Sequence, residues 1–85
     1  MHTKTVIVGS AEGLHARPAG IIAEAAEKYE TELEIIFGEE EADADSAMLI
    51  MALGAEKGAE VTVSGENPDA VAEIAALIEQ DLDAD

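Results

Sequence analysis

Apolar positions along this 85-residue chain switch between two periods. From Thr3 to Val8, Val6 and Val8 lie on one face, which predicts a strand, and the polar stretch Gly9 to Glu12 predicts the turn after it. A helix is predicted from near Ala16 to about Lys28. It places Ile22, Ala26 and Tyr29 along one stripe and Glu24, Glu27 and Lys28 on or beside the other, the pattern of a helix lying on a sheet. Leu33, Ile35 and Phe37 then alternate with Glu32, Glu34 and Ile36, a second strand. Gly38 turns the chain into Glu39 to Asp43, too acidic for the centre of a sheet and therefore an edge.

Asp45 and Ser46 are both good N-cap residues, and the apolar run Ala47 to Leu53 predicts a short buried helix ended by Gly54. Glu60 to Ser64 supplies another strand through Val61 and Val63. Gly65 to Pro68 is a turn whose Asn67 or Pro68, with Asp69, opens a last helix, in which Val71, Ile74, Ile78 and Leu82 keep helical spacing. The order β-α-β-β-α-β-α predicts an α+β fold: a four-stranded antiparallel sheet with the three helices packed on one face. Residues 1–85 are read as one domain, because a chain this short encloses a single modest core.

Composition narrows the chemistry. Zero cysteines exclude disulfides and thiolate chemistry, and two histidines thirteen positions apart make a poor metal pair, so neither a metal nor a cofactor is expected. No apolar run reaches the ~18 residues of a membrane span, and the N-terminus lacks the pattern of a secretion signal, which reads as a cytoplasmic protein. Four Lys and Arg against twenty Asp and Glu give a net charge of −16, which excludes nucleic acid as a partner and favours a monomer through self-repulsion. Residues 1–20 carry Lys4, Arg17 and Glu12, a net of +1, leaving −17 for residues 21–85. The carboxylates are scattered through every segment. That distribution suits adaptation to molar salt, where repulsion is screened within about 3 Å; an acidic interaction domain is the other reading.

The least acidic stretch carries the candidate chemistry. In Gly13-Leu14-His15-Ala16-Arg17-Pro18-Ala19-Gly20 a histidine stands at the start of a predicted helix, with Pro18 where a missing N–H costs nothing. A phosphoryl group on His15 would meet the Ala16 and Arg17 amides, the positive helix end and the Arg17 guanidinium. The same dipole favours the neutral imidazole that nucleophilic attack on phosphorus requires. An isolated histidine is more often a loop residue or a cap; Arg17, Pro18 and the glycines reverse that reading. His2, at the terminus, is read as solvated.

These residues resemble the histidine-containing phosphocarrier (HPr) family of the phosphoenolpyruvate-dependent sugar phosphotransferase system. The resemblance spans nearly the whole chain. Gly13 through Ala19 matches the family's active-site motif, and Ser46 with Met48, Met51, Leu53 and Gly54 its second motif. It implies an open-faced sandwich, phosphorylation of His15 at Nδ1 with Arg17 contacting the phosphoryl group, enzyme I as donor, and an EIIA component of a sugar permease or dihydroxyacetone system as acceptor. Family members commonly ring the site with lysines, whereas this chain has Glu12, Glu24, Glu27 and Asp45 at such positions. Partner docking is therefore expected to rest on an apolar patch of Ala16, Ala47, Met48 and Met51.

In some bacterial members the serine aligned with Ser46 is a regulatory phosphosite. Here the stronger reading is an ordinary N-cap, since Asp45 and Asp43 would repel an added phosphate. Two other functions stay open: a regulatory binding module of the same fold without phosphorelay, and an acyl-carrier-like protein, suggested by Asp45-Ser46 but at odds with the predicted strands.

Overall fold

The computed structural model describes residues 1–82. Its elements are β1 (His2–Ile7), α1 (Ala16–Glu27), β2 (Leu33–Phe37), β3 (Glu40–Asp43), α2 (Ala47–Ala52), β4 (Glu60–Gly65) and α3 (Pro68–Glu79). The four strands form one antiparallel sheet in the order β1-β4-β2-β3. Register follows the apolar alternation. Val6 lies opposite Val61, and Ile35 lies between Val63 and Ala42, so the same face of every strand feeds one core. Ile22 of α1, Ile50 of α2, and Val71, Ile74 and Ile78 of α3 close that core from the helical side. The opposite face mixes polar residues with Ile7 and Ile36 and carries a Thr5–Thr62 hydroxyl pair at 2.9 Å.

As expected, the acidic segment Glu40–Asp43 is an edge strand; only Ala42 points into the core, and the remaining three residues, all carboxylates, stay exposed. β1 begins one residue earlier than its apolar pattern indicates and ends at Ile7, but Val8 prolongs the pairing through Val8 N–H to Ala59 O and Gly58 N–H to Val8 O, both 2.9 Å.

Two expectations need correction. The apolar run at α2 is not a buried helix: Ile50 is its one buried residue, while Met48 is 71% exposed and Leu49 and Met51 also face solvent. Six residues make fewer than two turns, so only one row can reach the core. Leu82 is not helical either. α3 stops at Glu79, and Gln80 turns extended, because the carbonyls of Ile78 and Gln80 are taken by Gly9 N–H and the Ser10 hydroxyl. Leu82 still packs against the core from beyond the helix end.

Candidate functional site

His15 is the N-cap of α1, extended at φ −93° and ψ −165°, and its side chain makes no capping bond. The imidazole is exposed, as are Ala16 and Arg17. Ala19 N–H closes the first helical bond onto His15 O at 2.8 Å, and Pro18 at the third helical position has no N–H to offer. The first turn therefore leaves two backbone donors outside the helix ladder, the amides of Ala16 and Arg17, directly after the imidazole. The imidazole thus stands at the positive end of a twelve-residue helix. Pro18 and Ala19 are themselves buried, so the turn is seated on the core while its leading edge faces solvent.

The approach to His15 is fixed by its neighbours. Gly13 adopts φ +75°, and a Cβ there would lie 2.4 Å from Ala55 O and 2.7 Å from Glu56 Cα. Only glycine meets both demands. The close approach lets Leu14 N–H bond to Ala55 O at 2.9 Å and buries the Leu14 side chain. Ala55 follows Gly54, which ends α2 with φ +69°, so the end of α2 is tied to the residue before His15.

That tie brings part of the expected patch together. Met51 lies on the last turn of α2 and Met48 one turn earlier, both exposed, while Ala47 is half-buried against the core. Exposed Leu49 adds to this apolar surface. Its placement could not be read from a run in which every residue is apolar.

Ser46 is half-buried and is the N-cap of α2: its hydroxyl accepts from Leu49 N–H at 3.3 Å. The opening of α3 works the same way through Asn67, whose side-chain oxygen accepts from Asp69 N–H at 2.9 Å. Away from His15, Tyr29 donates its hydroxyl to Glu73, which also pairs with Lys28 at 3.3 Å. These contacts hold the Glu73 carboxyl below its ordinary range, first through the tyrosine bond and then through lysine, and they raise the Tyr29 phenol. A cleft of about 410 Å³ beside them, bordered by Tyr29, Glu30, Glu32, Asp43 and Asp45, is remote in sequence from the histidine turn. Among the described residues no cluster of histidines and carboxylates is arranged to hold a metal ion.

Comparison with known proteins places the whole chain beside one family. A family model described as the PTS HPr component phosphorylation site matches residues 2–80. The chain is 36% identical over 77 residues to the phosphocarrier protein HPr of Treponema pallidum, covering 91% of this chain and 88% of that protein. It is 33% identical over 79 residues to the HPr of Mycoplasma capricolum, covering 93% and 89%. A crystal structure of HPr-C-His from Thermoanaerobacter tengcongensis superposes with a TM-score of 0.90 at 30% identity, covering all of this chain and 99% of that one.

Proposed function

This chain belongs to the HPr family of phosphocarriers of the sugar phosphotransferase system, and from that premise we propose that Nδ1 of His15 is the atom that carries the phosphoryl group. The observation that carries the assignment is an exposed imidazole at the N-cap of α1, at the positive end of a twelve-residue helix. The Nδ1 lone pair attacks phosphorus on the donor, the donor's bond to phosphorus breaks, and the three equatorial oxygens of the passing group are met by the Ala16 and Arg17 amides and the Arg17 guanidinium. One arginine and a helix end hold the product without the metal and multiple cations of a kinase site, so the group stays transferable. Exposure serves the same end, because donor and acceptor proteins must both reach one nitrogen.

Enzyme I as donor and an EIIA component as acceptor are the partners this reading carries. Ala16, Ala47, Met48 and Met51 form the docking patch, with the protein acting as a cytoplasmic monomer; among the described residues no helix is long and apolar enough to cross a membrane. Ser46 serves as the cap of α2. The four-stranded sheet excludes the helical bundle of an acyl carrier. The test is NMR of the ¹⁵N-labelled protein after transfer from phosphorylated enzyme I. Phosphorus bonded to Nδ1 of His15 is expected; attachment at Nε2 or at Ser46 would overturn the assignment.

A further inference from the structure

We propose that Ser10 is a positioning residue for His15 and that the C-terminal end of α3 is part of the same site, an inference that rests on His15 being the phosphoryl acceptor. Ser10 is fully buried; Ser64, slightly more exposed, is the other buried polar residue among the described residues. The Ser10 hydroxyl donates to Gln80 O at 3.2 Å and accepts from Leu82 N–H at 3.1 Å, so both of its hydrogen-bonding functions go to the segment that follows α3. On either side, Gly9 N–H bonds to Ile78 O at 3.0 Å and Ala11 N–H to Asp81 Oδ1 at 3.3 Å. Gly9 has no room for a side chain, since a Cβ would stand 1.9 Å from Glu79 O. Three consecutive residues are thus gripped by a segment about seventy positions away in sequence.

Ser10 also passes that constraint forward. Its carbonyl accepts from Gly13 N–H at 2.9 Å, closing the turn, and the next amide, Leu14, bonds to Ala55 O. His15 follows. The backbone of the nucleophile is therefore held from two sides, by the end of α2 at Leu14 and by the end of α3 through Ser10. Group transfer to phosphorus is sensitive to sub-ångström placement of the attacking atom and of the oxyanion donors. Removing the hydroxyl deletes the two central bonds of the α3 side of the grip, those to Gln80 O and Leu82 N–H, without touching His15, Ala16 or Arg17.

The test uses Ser10→Ala in the full-length protein, with Tyr29→Phe as a control that also deletes one buried-side hydroxyl bond but at the far end of α1. Phosphoramidate is the probe. The imidazole nitrogen attacks its phosphorus, the P–N bond breaks and ammonia departs, so no partner protein is needed. All variants carry His2→Gln so that His15 is the one imidazole; adduct formation is followed by intact mass below the unfolding transition, and the ¹⁵N shifts of the His15 ring are recorded for each variant. Ser10→Ala is expected to form adduct roughly fivefold or more slowly than the parent and to move the ring shifts, with Tyr29→Phe within about twofold of the parent on the same scale. Asp81→Ala, which cuts the adjacent bond to Ala11, is expected to give a smaller change in the same direction. Ser10→Ala matching the parent in rate and ring shifts overturns the positioning role and leaves the acceptor assignment standing; absence of any His15 adduct in the parent overturns the acceptor assignment itself.

Discussion

Replacing Gly13 with alanine separates backbone conformation from steric contact at the site, because Gly38 supplies a matched reference. Both glycines lie in the left-handed region, at φ +75° and φ +63°, and either alanine incurs about 1–2 kcal/mol for that conformation. Each substitution also restricts the unfolded chain, which offsets roughly 0.4–1 kcal/mol, leaving Gly38→Ala near ~1 kcal/mol. A Cβ at Gly38 meets nothing within 4 Å, whereas at Gly13 it meets two backbone atoms at 2.4 and 2.7 Å. Neither neighbour is a side chain that can swing away. Forcing them apart costs about 1–3 kcal/mol by analogy with overpacked cores, and the 2.9 Å Leu14–Ala55 bond beside them stands to lose about 1 kcal/mol more. Gly13→Ala is therefore expected to cost ~3–5 kcal/mol in urea unfolding. At about 4–8 °C per kcal/mol for a domain of this size, that lowers Tm by more than ~10 °C, against ~4–8 °C for Gly38→Ala. Equal losses for the two variants would refute the claim that the approach of residue 13 to Ala55 braces the site.

The net charge of −16 predicts that Tm rises from dilute buffer to molar KCl as carboxylate repulsion is screened; a flat response would remove the salt-adaptation reading. Because the Glu73 carboxyl is held below its ordinary value of 4.5, its contribution to stability is present above that pH and fades as pH falls through the lowered value. The Tyr29 phenol, raised above 10.0, contributes below that pH and loses its contribution as pH climbs through the raised value. Tyr29→Phe should flatten both limbs of a stability–pH curve measured by urea titration, and an unchanged curve would exclude the pair as the cause. Met48→Asp is expected to raise KM for phosphoryl exchange with enzyme I by about tenfold, the cost of desolvating a charge at an apolar contact, with Tm within a few degrees of the parent; an unchanged KM would remove this side chain from the docking patch.

Which features were legible in the sequence depended on how local their causes are. The start of α1 was readable because Pro18, the glycines and the histidine act within a single turn, and the Ala16 and Arg17 amides followed from counting helical positions. The sheet was readable because Val61, Val63, Leu33 and Ile35 alternate strictly with polar or half-buried neighbours. The exposure of α2 was not, since Ala-Met-Leu-Ile-Met-Ala has no polar position to mark an outer face, and only packing selects Ile50. The end of α3 was misjudged for a related reason: Leu82 keeps the spacing and even the core contact, but Gly9 and Ser10 intercept the carbonyls that would have continued the helix. The role of Ser10 lay hidden because its partners are 70 and 72 residues away, and a lone serine in a turn carries no local signal.

The central claim is that His15 accepts and holds the phosphoryl group, and intact-mass measurement tests it most directly. The protein is incubated in molar KCl with phosphoenolpyruvate and enzyme I from the same cell, beside His15→Ala. A single acid-labile phosphoryl adduct, absent from the variant, is the predicted result. An unmodified protein, with that enzyme I active on another carrier, or an adduct that survives in His15→Ala, would contradict the account.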